Sequence, residues 1–136
     1  MSEKKLRLEI VTPQKKVFSE DVSFLVAPGT DGELGILPEH APLITSLNIG
    51  ILRVEQEGNK FKVVVSGGFM EVRNNRTTVL ATSAERAEEI DVARAEAAKR
   101  RAEERLASKS PDIDILRAEL ALRRALTRLK AAGDGY

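Results

Sequence analysis

Asp91 and Arg94 lie one helical turn apart, and Arg101 follows Arg94 by seven residues. Further on, Arg117, Arg124 and Arg128 are spaced by seven and four, so each row keeps to roughly one face of a helix. A planar guanidinium fork suits phosphate oxygens. Two such rows brought together across a helical hairpin repel unless an anion lies between them. The competing reading is ordinary surface pairing with Glu88, Glu96, Glu103 and Glu104, worth under about 1 kcal/mol per bridge. Little else in the chain could do chemistry. His40 is the single histidine and there is no cysteine, which removes disulfides and thiolate metal sites. No nucleophile-elbow, zinc-protease or P-loop motif occurs. Gly67-Gly68 lacks the third glycine of a dinucleotide loop, so it marks a bulge or a close backbone approach. Glu88 and Glu89 have no partner base or metal cluster and read as carboxylates that favour a helix start. These residues point to binding, not catalysis.

The elements that carry them change character near residue 83. Before it, apolar residues alternate: Leu6, Leu8 and Ile10, then Ile49, Ile51 and Val54, then Phe61, Val63 and Val65, with Val64 implying that both faces are partly covered. Turn signals recur at Thr12-Pro13, Pro28-Gly29, Asp31-Gly32, Glu57-Gly58-Asn59 and Asn74-Asn75. Short Val- and Ile-rich strands at this spacing predict an antiparallel sandwich or barrel. After residue 83, Ala, Glu, Arg and Leu dominate, Pro111 is the only proline, and no glycine occurs until Gly133. Thr82 with Glu85 matches a capping box, Ser110-Pro111 suits a second helix start, and Gly133 suits a stop. The expectation is two helices, about 85–107 and 111–132, joined by Ala-Ser-Lys-Ser as an antiparallel hairpin. The domains are then 1–84, a β-sandwich, and 85–136, helical.

The helical faces are legible too. Ile115, Ala118, Leu122, Ala125 or Leu126, and Leu129 recur on the second helix, against a thinner stripe of Ala95, Ala98, Ala102 and Leu106 on the first. Alanine allows close approach but buries little area, so the hairpin should be weakly held. No internal repeat stands out. With 136 residues and 42% hydrophobic content, the chain has room for one real core and an appendage. Its net charge of +1 gives no general pull toward nucleic acid. The last stretch is cationic, with Arg117, Arg123, Arg124, Arg128 and Lys130 against Glu119 alone. The opening MSEKKLRLEIV does not read as a signal peptide, and no run is long enough to span a bilayer.

Three segments in register resemble one family. Residues 32–43, GELGILPEHAPL, are similar to the signature loop of ATP synthase epsilon subunits. Residues 67–72, GGFMEV, resemble its second signature, and residues 85–95, ERAEEIDVARA, the junction where its helices begin. The resemblance covers nearly the whole chain. It implies a flattened β-sandwich of about ten strands followed by a two-helix domain. It also implies a non-catalytic rotor subunit at the foot of the central stalk of a proton-translocating F-type ATP synthase. There the sandwich meets the gamma subunit and the c-ring, on the cytoplasmic face of a bacterial membrane that is reached only through the complex. The helices restrain ATP hydrolysis, extending to an acidic segment of a catalytic beta subunit.

Residue by residue, the resemblance gives Glu33 to the c-ring loops and His40 to the neighbourhood of gamma. Structural alternatives are a turn carboxylate and a capping or buried histidine. In Bacillus-type relatives the segment I-D-x-x-R-A binds ATP, and Ile90, Asp91, Arg94 and Ala95 match it. Glu85, Arg101, Arg124 and Arg128 match further positions of that site. The arginines would engage phosphates, and Glu85 and Asp91 would contact the adenine region or orient arginines. Mg²⁺ is left open. Arg117, Arg123, Arg124 and Lys130 are candidates for the beta contact. Glu39 departs from relatives that often carry glycine there. Two other readings remain: a rotor arm with no nucleotide sensing, and a free-standing adaptor outside any ATPase.

Overall fold

The computed structural model describes residues 4–133. Eight strands come first: β1 (Leu6–Val11), β2 (Lys16–Val22), β3 (Phe24–Gly29), β4 (Gly32–Ile36), β5 (Leu43–Gln56), β6 (Asn59–Arg73), β7 (Arg76–Ala81) and β8 (Ala84–Arg86). A 3-10 turn (Ala87–Glu89) leads into helices α1 (Val92–Ser108) and α2 (Ile115–Ala132). The strands form one hydrogen-bonded path, β2-β1-β7-β6-β5-β3-β4, with β8 added to β6. All pairs are antiparallel except β1 with β7.

Side-chain alternation explains why this path folds over on itself. Leu6, Leu8 and Ile10 from β1, Leu25 from β3, Leu52 and Val54 from β5, Val63, Val65, Met70 and Val72 from β6 and Val79 from β7 are buried in one contiguous cluster. No flat sheet could bring them together. Val64, of opposite parity to Val63 and Val65, is buried outside that cluster, on the face against which α2 packs.

The expected count of ten strands becomes eight because β5 and β6 each run through both layers. Their ladder keeps one register throughout and lacks a single pair, Asn48 opposite Gly67, between Leu47↔Gly68 and Ile49↔Ser66. Gly67 and Gly68 take φ of 87° and 132° there, and a Cβ on Gly68 would collide with the Leu80 carbonyl. The glycine pair thus serves as the close approach expected of it. Glu57-Gly58 and Asn74-Asn75 have positive φ at both positions, as two-residue hairpin turns demand. Pro28-Gly29 is not a turn. It lies inside β3, where the pairing with β5 shifts between Val26 and Gly29, so the missing N–H of proline is tolerated.

The helices start later than expected. Residues 84–86 form a strand on Val63–Val65 instead of a first helical turn, so Thr82 and Glu85 make no capping box. Asp91 caps α1, its carboxylate accepting the Arg94 N–H at 3.0 Å. Asp114 caps α2 in the same way, accepting the Arg117 N–H at 3.0 Å. The Ser110 hydroxyl accepts the Asp112 N–H at 3.3 Å and its carbonyl accepts the Ile113 N–H at 3.2 Å, both within the connection, which is therefore longer than the four residues expected. Gly133 ends α2 as predicted. The hairpin closes on small residues: Ala95 and Ala102 of α1, Ala118 and Ala125 of α2, all buried.

The composition break falls at the edge of β8, which separates two stability expectations. A polypeptide ending at Asp91 should melt cooperatively with a β-type circular dichroism spectrum. One ending at Ser83 should be less stable by about 2 kcal/mol in urea, because it leaves the Val63–Val65 edge unpaired. It also loses Arg86 stacked 4.3 Å over the Phe61 ring. Equal midpoints would show that β8 contributes nothing.

Candidate functional site

A cleft of about 260 Å³ opens where the sandwich meets the hairpin, lined by Glu85, Glu89, Ile90, Asp91, Arg94, Ala95 and Arg128. Besides Glu89 and Ile90 from the 3-10 turn and its end, three elements build it. β8 supplies Glu85, the start of α1 supplies Asp91, Arg94 and Ala95, and the last turns of α2 supply Arg128. Arg128 Nε donates to Glu85 Oε1 at 3.1 Å, a bridge between α2 and the sheet. Both side chains are more than a third exposed, so the bridge stabilises by under about 1 kcal/mol.

Of the predicted ATP set, Glu85, Ile90, Asp91, Arg94, Ala95 and Arg128 share this cleft, whereas Arg101 and Arg124 do not line it. Arg101 is exposed and Arg124 half-buried. Arg94, Arg101 and Arg124 have no carboxylate partner among the described residues, although the sequence offered Glu96, Glu103 and Glu104 as neighbours. Glu88 does pair, with Arg86 Nε at 3.1 Å, but from the 3-10 turn and not from a helix start. Glu89 was missed as a lining residue, since its place depends on that turn. No cluster of three or more metal-ligating side chains exists among the described residues.

The hexad around Asp91 occurs twice. Ile90-Asp91-Val92-Ala93-Arg94-Ala95 and Ile113-Asp114-Ile115-Leu116-Arg117-Ala118 have the same form, a short internal repeat not expected from the sequence. Each aspartate caps its helix through the amide of the arginine three residues on, and each final alanine is buried in the hairpin. The pattern therefore specifies a helix start. Only the first copy faces Arg128 and Glu85 across a cleft.

The sandwich offers a second surface. Glu33 stands on β4 and not in a loop, and its Oε2 meets Arg53 Nη2 at 2.9 Å. His40 lies in the segment between β4 and β5. Its amide donates to Leu37 O, and its Nδ1 donates to the Ala41 carbonyl at 2.7 Å, which fixes the ring locally. Just beyond, Ile44, Phe69 and Leu80 are exposed by 72%, 60% and 55% and line a shallow hollow on β5, β6 and β7. Phe69 and Leu80 are cross-strand partners. The signal was present in the outward parity of these positions, but parity alone does not reveal three apolar side chains meeting. On α2, Arg117, Arg123 and Lys130 are all exposed. Arg123 and Lys130, seven apart, share a face from which Arg117 is rotated away.

Comparison with known proteins agrees with this two-part organisation. Residues 5–87 match the family model described as the ATP synthase delta/epsilon chain beta-sandwich domain, and residues 88–133 match that of its long alpha-helix domain. An ATP synthase epsilon chain of Pelotomaculum thermopropionicum is 83% identical over 133 residues, covering 98% of this chain and 99% of its own. One from Carboxydothermus hydrogenoformans is 66% identical over 129 residues, 95% of this chain and 96% of its own. Among solved structures, a chain of the Euglena gracilis mitochondrial ATP synthase, determined as OSCP/F1/c-ring, superposes with a TM-score of 0.81 at 29% identity, over 94% of this chain and 81% of that one.

Glu39 adopts φ of 66°, the left-handed region that glycine occupies without cost. Glu39→Gly should therefore raise stability by about 1 kcal/mol. That corresponds to about 3 °C in the thermal midpoint. An unchanged or lower midpoint would show that the glutamate side chain compensates its strained backbone.

Proposed function

The chain belongs to the delta/epsilon chain family of ATP synthases, and from that premise we propose that it works as a rotor coupling subunit whose hairpin senses ATP. It is a non-catalytic subunit of that complex. The observation that carries the sensing role is the cleft itself. Side chains from β8, α1 and α2 converge there, so a ligand in it touches the sandwich and both helices at once. Its carboxylates, Glu85, Glu89 and Asp91, are acceptors suited to an exocyclic amine and ribose hydroxyls. Arg94 and Arg128 suit phosphate oxygens. The volume is below the roughly 300–1,000 Å³ of small-molecule sites, so a nucleotide would lie only partly inside. Arg101, two turns along α1, and Arg124, one turn before Arg128, are then available to a triphosphate running along the hairpin.

A ligand that needs both helices binds the hairpin and not an extended arm, so it shifts the population toward the hairpin. The gain is about 2.7 kcal/mol when ATP is a hundredfold above its Kd. A contact made of alanines, Val64 and a few solvent-reachable polar ties can be governed by a term of that size. The sandwich carries assembly in this reading. Glu33 faces the c-ring, and His40 with the Ile44, Phe69 and Leu80 face meets gamma, at the cytoplasmic side of the membrane. The outward face of α2, with Arg123 and Lys130 beside the exposed Leu116 and Leu126, suits an acidic segment of a beta subunit.

Calorimetry of the full chain should show ATP binding, with ADP weaker. Asp91→Ala combined with Arg94→Ala should weaken binding at least about tenfold, as should Arg128→Gln, which leaves the α1 cap intact. Equal binding by all three proteins, or none by the wild type, would leave only the coupling arm. Removing residues 111–136 should separately raise ATP hydrolysis by the assembled enzyme several-fold, about 1 kcal/mol of relieved restraint. Unchanged hydrolysis would place any brake outside α2.

A further inference from the structure

Asn75 makes more cross-links than any turn residue needs. It is the second residue of the β6–β7 turn, with φ of 58°. Its Oδ1 accepts the Glu39 N–H at 2.8 Å, its Nδ2 donates to the Lys5 carbonyl at 2.8 Å, and its backbone carbonyl accepts the Arg7 N–H at 3.1 Å. One side chain therefore ties the β6–β7 turn to the start of β1 and to the segment between β4 and β5. Glu39, the residue it holds, is the one in that segment with a left-handed backbone, and His40 follows directly.

From these contacts we infer that Asn75 is the positioning residue that sets residues 37–42 in the shape that docks onto the neighbouring rotor subunit. The inference rests on the reading above that His40 and the adjoining apolar face form the docking surface. A non-glycine residue in the left-handed region keeps that conformation only where its surroundings impose it. Few groups around Glu39 can do so. The remaining backbone bond of the segment is His40 N–H to Leu37 O, and Leu37 is 61% exposed. The amide accepts from Glu39 and donates to Lys5 through two separate atoms, and asparagine also tolerates the left-handed turn. The docking segment thus takes its shape from the tip of the same β6–β7 hairpin that presents Phe69 and Leu80. The two halves of the surface are mechanically one.

Asn75→Gly isolates the side chain's role, because glycine keeps the turn's positive φ and removes only the amide. Asn75→Asp restores the acceptor for Glu39 but not the donor to Lys5. Phe69→Ser tests the docking face independently. In the full chain, Asn75→Gly should speed amide hydrogen exchange at Glu39 about tenfold. It should also weaken binding to ATP synthase depleted of this subunit by about tenfold, while Asn75→Asp, which keeps the Glu39 acceptor but turns a carboxylate oxygen toward the Lys5 carbonyl, should fall between glycine and wild type in both. Unchanged exchange at Glu39 in Asn75→Gly would overturn the clamp. Faster exchange with unchanged binding, while Phe69→Ser binds poorly, would overturn the positioning role and leave the docking face standing. Unchanged binding in both Asn75→Gly and Phe69→Ser would overturn the docking face, and the positioning role with it.

Discussion

The pairing of β5 with β6 is the constraint on which the rest of the molecule depends. It runs from Leu43↔Val72 to Gln56↔Asn59 and belongs to both layers. Every other strand reaches this ladder directly or through one or two neighbours. β3 lies on its outer edge and β7 on its inner one, β8 extends β6, and α2 rests on both strands. A ladder that long can serve two layers only if it bends. The bend sits where Asn48 and Gly67, still in register, leave the ladder unpaired. Gly68 has no alternative there, since any side chain would strike the Leu80 carbonyl. Without the bend, Leu52 and Val63 could not share a core with Met70 and Val79.

The hairpin is attached on different physical terms. The sandwich buries leucines, isoleucines and valines, each worth about 1.5–3 kcal/mol when fully removed from water. Between α1 and α2 the buried residues are alanines. Between α2 and the sheet the polar ties include Arg128 to Glu85 and Lys62 Nζ to the Gly133 carbonyl at 3.1 Å, both reachable by solvent. The molecule thus has a rigid part and a part whose docking energy is comparable with that of a modest ligand. In the proposed function, that contrast is what would let one subunit hold its place by one domain and change state with the other.

Where the sequence could be read, a single periodicity governed the outcome. Leu6, Leu8 and Ile10 are buried as their alternation required, and Val64 is buried on the second face as its break of alternation implied. The two Asn-rich and Gly-rich hairpin turns fell where their φ preferences put them. Helix starts were misjudged because two cap signals competed within a few residues. Thr82–Glu85 is a valid capping pattern, but the open edge of β6 claims residues 84–86 for strand pairing, and tertiary hydrogen bonds outweigh a local cap. Ser110-Pro111 lost to Asp114 for a related reason. Asp114 stands three residues before an amide it can accept and four before Ala118, which the hairpin buries. The Asn75 bonds were illegible, since they join residues 36 and 70 positions apart.

The duplicated hexad shows what a motif can and cannot carry. In both copies the aspartate is consumed in part by capping and the alanine by packing, so neither residue type is evidence of a ligand. What differs is the surroundings. The second copy begins α2 at the far end of the hairpin, after the 109–114 connection. The first begins α1 beside β8, where Glu85 and Arg128 bring a carboxylate and a guanidinium from two other elements. A cap also fixes its carboxylate and the first helical amides in place, and fixed groups lose little entropy when a ligand arrives. A helix start is in this way a preorganised half-site. In the proposed function it becomes a site only where the fold supplies the other half, and among the described residues β8 and the end of α2 supply that half to the first copy.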